Sequence, residues 1–208
     1  MSSSDILPTD FYRRDVVQVA RDLIGKQLRR ELPAGIAGGR IVETEAYRGA
    51  DDPASHSYRG KTPRNEAMFG PPGRAYVYTI HARFCLNAVA QDDGSPCGVL
   101  IRAIEPQVGV DLMEQLRGDV KHNDLTRGPA RLCEALDIDR QFDAWPLDEG
   151  RELWIEEAVE QSKPTIAVSP RIGVSQAQDR LWRFFVNGNR YVSGPRKYHS
   201  EDDGPPPR

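Results

Sequence analysis

Cysteine is scarce in this 208-residue chain: Cys85, Cys97 and Cys133 make an odd set without C-x-x-C spacing, which favours neither a disulfide framework nor a thiolate zinc site. They read as free, packed thiols. No stretch approaches the roughly eighteen uninterrupted apolar residues that a membrane span needs. The polar start Met1-Ser2-Ser3-Ser4-Asp5 lacks the basic and apolar regions of a signal peptide, so a cytoplasmic protein is expected. The four histidines, His56, His81, His122 and His199, lie far apart and form no H-E-x-x-H pair, so a metal-dependent hydrolase is not expected. There is no internal repeat. The chain also lacks an excess of positive charge, with a formal net charge of −3, which by itself argues mildly against a nucleic-acid partner.

The distribution of charge says more than its sum. From Lys163 to Lys197 seven cations (Lys163, Arg171, Arg180, Arg183, Arg190, Arg196 and Lys197) face one acid, Asp179. From His56 to Phe84 five cations (Arg59, Lys61, Arg64, Arg74 and Arg83) face Glu66. Either segment could lie along phosphates, or both could be ordinary solvated faces.

A length of 208 residues with 38% hydrophobic content bounds the chain to one domain, taken as residues 1–194 followed by a disordered tail at 195–208 ending in Pro205-Pro206-Pro207. Thr9 or Asp10 can cap a helix with Val16, Val17, Ala20, Leu23 and Ile24 at helical spacing, stopped by Gly25. A strand from Lys26, a Gly-rich turn at Gly35 to Gly39 and a second strand from Arg40 to Ala46 follow. Arg48 to Gly73 reads as a long functional loop. Strands are expected at Ala75 to Ile80, Phe84 to Val89 and Val99 to Ile104. Val108 to Leu116 should be a helix, and another should open at Gly128-Pro129, since proline suits a first helical turn. Short strands are expected at Leu153 to Ile155, Thr165 to Val168, Leu181 to Val186 and Tyr191 to Val192, with Asn187-Gly188 as a hairpin turn. This order predicts an α+β fold: a single mixed domain with a curved, mostly antiparallel β-sheet flanked by helices.

Glu43 and Glu45 lie two apart on a predicted strand, which puts both side chains on one face. Tyr47, His56, Tyr76, Tyr78 and His81 flank the long loop beside them. A carboxylate among flat rings and imidazoles suits binding and cleavage at a nucleoside, although surface acids and core aromatics would give the same letters.

Longer runs decide the direction. Arg40-Ile41-Val42-Glu43-Thr44-Glu45-Ala46-Tyr47, Thr62-Pro63-Arg64-Asn65 with Met68-Phe69, Pro72-Gly73 with Tyr76-Val77-Tyr78, Cys85-Leu86-Asn87 and Arg102-Ala103-Ile104-Glu105-Pro106 resemble the alkyladenine (3-methyladenine) DNA glycosylases. The resemblance continues in Gly128-Pro129-Ala130-Arg131-Leu132-Cys133 and Ser169-Pro170-Arg171-Ile172-Gly173-Val174 and so covers most of the chain. It implies a monofunctional enzyme that flips alkylated or deaminated purines out of double-stranded DNA and hydrolyses the N-glycosidic bond, with no cofactor. Glu45 would be the general base for the water, and Arg102 would hold that water and a nearby phosphate. The main chain at Ile172-Gly173 would complete the site. Tyr47 and Tyr78 would attract a cationic base, by roughly 0.5 to 2 kcal/mol. His56 would hydrogen-bond the base, and Asn87 would clash with the exocyclic amine of guanine. His81, with Arg83, would wedge into the duplex where the best-known relatives carry Tyr, in a stretch one residue shorter than theirs. Thr62, Arg64 and Arg171 would contact the DNA. A monomer acting at the nucleoid is the corresponding expectation. A nucleic-acid-binding module without catalysis stays open as the alternative. A Schiff-base mechanism is disfavoured, because Lys61 is the one lysine in the matched core.

Overall fold

Asp15, not Thr9 or Asp10, starts the first substantial helix. Its carboxylate accepts from Val17 N at 2.9 Å and Gln18 N at 3.3 Å, satisfying two amides with no partner inside the helix. The expected single helix is therefore two, α1 (Thr9–Tyr12) and α2 (Val16–Asp22), with Gly25 following at φ +93°. The computed structural model describes residues 5–158 and 164–195. The predicted tail, Lys163, Arg196 and Lys197 lie outside the described residues, apart from Pro195.

Eight strands follow: β1 (Gln27–Leu32), β2 (Gly35–Tyr47), β3 (Ala75–Ile80), β4 (Arg83–Ala90), β5 (Cys97–Val108), β6 (Leu153–Glu156), β7 (Ile166–Ser169) and β8 (Arg183–Val186). Two further helices, α3 (Val110–Arg117) and α4 (Pro129–Ala135), come between β5 and β6. The strands form one curled sheet in the order β3-β4-β5-β2-β1-β6, with β8 on β2 and β7 on β8. Every pairing is antiparallel, as the α+β expectation requires.

The long strand β2 organises the site. Its first half pairs with β1, and residues Glu43 to Glu45 pair with β8 on that same side, while β5 runs along the other. Register shifts at Gly38/Gly39 and on either side of Glu43 bend it, which is how bulges curl a sheet. The expected turn at Gly35 to Gly39 is instead part of this strand, and the two-residue connection is Pro33-Ala34. Close approach explains these glycines: a Cβ on Gly38 would stand 2.2 Å from Leu28 O, and one on Gly39 2.0 Å from Glu105 O. A second correction concerns Tyr191-Val192, which is buried but forms no strand, so Asn187-Gly188 turns the chain without making a hairpin.

Alternation along β2 sends Val42 and Ala46 into the main core, and Thr44 Oγ1 donates to Ala20 O at 2.7 Å. Val16, Val19, Ala20 and Leu23 cover that side from the first helices, and Leu132, Cys133 and Ala135 pack from α4. The three cysteines are free and buried. Glu43, Glu45 and Tyr47 take the opposite side, where a smaller cluster of Ala67, Met68, Tyr76 and Val89, with Phe69 and Tyr78 against it, supports a second surface. Among the described residues no helix is long and apolar enough to cross a membrane.

Candidate active site

Both acids of β2 are fully buried, with different surroundings. Glu43 accepts from Arg102 Nε at 3.0 Å, Arg183 Nε at 2.7 Å, Ser193 N at 2.7 Å and Ser193 Oγ at 3.0 Å. Burial pushes its carboxyl up, but Arg102, Arg183 and the Ser193 amide outweigh burial and hold it below the usual carboxylate range. With four donors on it, Glu43 is scaffold: it fixes the Arg102 guanidinium by one edge.

Glu45 takes the outward part of that arrangement. Its carboxylate accepts from Tyr47 Oη at 2.8 Å, Ile172 N at 2.8 Å and Arg102 Nη1 at the longer distance of 3.3 Å. Burial works against the Arg102 charge, but Glu45 and Glu43 together outweigh it and raise the Arg102 pKa above its ordinary value. Tyr47, Arg102 and Ile172 all line a cavity of about 520 Å³, within the range of small-molecule sites. Glu45 lies one layer behind that wall, held by three of the residues that form it.

The rings expected at the site are brought together. Tyr76 and Tyr78 stack with centroids 5.5 Å apart, and His56 meets Tyr78 edge-on at 4.5 Å. His56 Nδ1 lies 3.0 Å from Tyr76 Oη. Partial desolvation by the surrounding rings, with a smaller push from the nearby Arg64 charge, lowers the pKa of the otherwise exposed His56 and favours its neutral form. Burial raises the phenol of Tyr76 to about 12 and that of Tyr78 further, and it drives Tyr47 in the same direction with Glu45 adding to it. All three stay uncharged rings. Asn87 lies in the wall with its amide fixed by donation to Tyr76 O at 3.1 Å. Gly173, at φ +76°, also lines the cavity. Sequence reasoning missed the floor and near wall, which include Pro53, Ala54, Ser55 and Leu100. None of these carries a chemical signature that spacing could reveal.

The rim beside Tyr78 is the β3–β4 hairpin. His81 and Ala82 form its two-residue turn at φ +48° and +61°, and both are exposed. Ile80, 45% exposed, precedes them. Arg83 is also exposed, at 3.5 Å from Glu134. Arg64 Nη2 donates to Thr79 O at 2.6 Å, which ties the long loop to this hairpin. Thr62 is exposed, but its amide and hydroxyl both go to Asn65 Oδ1, at 2.7 and 3.0 Å.

The charge reading of the C-terminal segment needs correction. Arg171, expected to touch DNA, is buried: Nη1 and Nη2 reach Asp52 at 2.5 and 2.8 Å, and Nη1 also donates to Ala46 O at 2.9 Å. Arg183 is buried on Glu43. Of the seven cations, Arg190 is exposed and Arg180 half-buried over Trp182 among the described residues. The first cluster fares better, with Arg59, Lys61, Arg64 and Arg83 exposed and Arg74 half-buried. Among the described residues no group of three or more His, Cys, Asp or Glu is placed to hold a metal ion.

Comparison with known proteins follows this geometry. Residues 10–190 match the sequence model of a family described as "Methylpurine-DNA glycosylase (MPG)". A relative from Carboxydothermus hydrogenoformans, named "Putative 3-methyladenine DNA glycosylase", is 45% identical over 189 residues, covering 90% of this chain and 98% of its own. Relatives of the same name from Methanocella arvoryzae and Rhodopirellula baltica are 46% and 42% identical, over 90% and 95% of this chain and 96% and 87% of theirs.

Proposed function

The chain belongs to the methylpurine-DNA glycosylase family, and on that premise we propose that it flips alkylated or deaminated purines out of duplex DNA and hydrolyses their N-glycosidic bond with water activated by Glu45. One observation carries the reading. A carboxylate is held by Tyr47, Arg102 and Ile172 immediately behind a cavity lined by those same residues and by His56, Tyr76 and Tyr78.

The chemistry follows from the charge that develops. Breaking the bond to the base leaves positive charge on the sugar, and water must add at C1′. Glu45 takes a proton from that water while its negative charge stabilises the oxocarbenium-like sugar. Arg102, fixed by Glu43 at its Nε edge, keeps Nη1 toward Glu45 and the reacting water. The base departs between the uncharged rings of Tyr47 and Tyr78. An alkylated purine is already cationic, so it gains cation–π attraction of about 0.5 to 2 kcal/mol there and leaves without a strong acid. Where the Tyr76 hydroxyl donates across the 3.0 Å contact to His56 Nδ1, the imidazole proton stands on Nε2, available to the base. Asn87, immobilised by Tyr76 O, opposes the exocyclic amine of guanine. The exposed turn at His81, with Arg83, fills the gap left in the stack, and Thr62, Arg64, Arg59 and Lys61 face the backbone. The protein acts as a monomer in the cytoplasm, on DNA of the nucleoid.

The test is release of free base from duplexes carrying one hypoxanthine or one 3-methyladenine. Free base and an abasic strand are expected. A protein that binds these duplexes and releases nothing is a binding module, and the enzymatic reading fails.

A further inference from the structure

We propose that the buried Asp52–Arg171 ion pair is a positioning device that holds Glu45 and two walls of the cavity in register for excision, a role that rests on the glycosylase reading above. Neither residue lines the cavity, and both side chains are fully buried.

What the pair holds makes the case. Between Pro170 and Trp182 the chain has no helix or strand, yet Ile172 must present its amide to Glu45 at 2.8 Å. The preceding residue supplies the anchor. The Arg171 fork grips both oxygens of Asp52 and reaches Ala46 O, one residue from Glu45. The faces of the same guanidinium are used as well, with Tyr47 at 4.7 Å and Trp182 at 5.1 Å from ring centroid to Cζ. Tyr47 is itself a donor to Glu45. On the other side, Asp52 accepts from Arg48 N at 3.1 Å and Ala54 N at 3.2 Å, which fixes the start of the Pro53 to His56 wall. One planar, bidentate contact thus joins two irregular segments to the end of β2. A lysine in the same place would keep the charge and lose both the fork and the stacking.

Burial opposes the charge on each partner, but the contact prevails: the Asp52 carboxyl is held below its usual range and the Arg171 pKa is raised. The pair is therefore ionised at pH 7. Substitutions that keep volume but alter the fork loosen Ile172 N and Tyr47 together, and these provide two of the three hydrogen bonds on Glu45.

The experiment compares full-length wild type, Arg171→Lys and Asp52→Asn. Three quantities are read: active fraction by titration with lesion duplex, affinity for a duplex carrying a reduced abasic site, and the single-turnover rate constant for hypoxanthine release at saturating enzyme. Both variants are expected to keep affinity within about threefold while the rate constant falls about tenfold or more, the scale of one lost charge-assisted hydrogen bond. A purely structural pair would change active fraction and leave the rate constant of the folded enzyme untouched. That result, a loss of affinity with an unchanged rate constant, or failure of both variants to fold overturns the proposal. A wild type that releases no base instead defeats the glycosylase reading.

Discussion

Glu43→Gln and Glu45→Gln are isosteric changes two residues apart on one strand, and the structure assigns them opposite consequences. At Glu43, Oε1 accepts from two guanidinium groups and a hydroxyl, and Oε2 accepts from Ser193 N. Glutamine has one acceptor oxygen. If that oxygen faces the arginines, its NH₂ meets the Ser193 amide donor-to-donor where 2.7 Å now separates a bonded pair. The substitution also removes the one carboxylate paired with Arg183 among the described residues. Leaving a buried charge without its partner costs about 3–5 kcal/mol. At an m-value of about 2 kcal/mol/M, the urea midpoint should fall by roughly 1.5 to 2.5 M. At Glu45 the amide oxygen can keep Ile172 N and the Tyr47 hydroxyl can rotate to accept; the new NH₂ then opposes Arg102 Nη1, but that contact is the long one at 3.3 Å and Arg102 Nε retains Glu43. That variant should unfold within about 1 kcal/mol of wild type while base release drops by about 10²- to 10⁴-fold. Urea titration by circular dichroism and single-turnover excision on the same preparations read both quantities. Wild-type stability in Glu43→Gln, or unfolding confined to Glu45→Gln, would refute the division of the two acids into scaffold and chemistry.

Further outcomes follow from other features. His81→Ala should weaken lesion-duplex affinity about tenfold, the scale of one lost stacking contact, as read by fluorescence anisotropy; unchanged affinity would remove the hairpin turn from DNA recognition. Gly39→Ala forces a methyl group against Glu105 O and should cost about 1–3 kcal/mol, seen as a lower Tm with the excision rate of the folded fraction preserved. The depressed His56 pKa makes its neutral form the native one, so its contribution to stability is complete above the ordinary histidine value of about 6.5 and is lost as pH falls from there through the folded pKa. Acidification in that window should slow release of cationic 3-methyladenine more than of neutral hypoxanthine. A constant ratio of the two rates would exclude a charged His56 as the cause. For Glu43 the sign is the same at lower pH: its support is complete above the ordinary carboxylate range and disappears as pH falls through its depressed value.

The strands were legible where side chains alternate and the pattern is local. Ala75 to Ile80 is β3 residue for residue, and Pro129 opens α4 as its fixed φ suggests. What failed depended on neighbours distant in sequence. Gly38 and Gly39 look like a turn because nothing in the letters shows that Leu28 O and Glu105 O press on them. Arg171 was counted as a surface cation because its partner, Asp52, lies 119 residues away in a segment with no periodicity. Thr9, Asp10 and Asp15 offer the same capping chemistry, and only the fold shows that Asp15 takes the amides of Val17 and Gln18. At the site, Glu45, Tyr47, Tyr78, Asn87 and Arg102 lie in motif runs and His56 in the loop between them, and the structure gathers all six around one cavity or directly behind it. The distinct duty of Glu43 was not visible, since two acids with the same spacing and the same strand face differ only in what Arg183 and Ser193 bring to them.

Ser193 closes on Glu43 across 150 residues of chain. Synthesis runs from the N-terminus, so Glu43 gains its Arg183 and Ser193 partners only after those residues have left the ribosome. A half-made molecule with its first helices and central strands still lacks the Ile172, Arg183 and Ser193 contacts on the two acids. Order around the two acids is thereby coupled to arrival of the segment that carries Ser193.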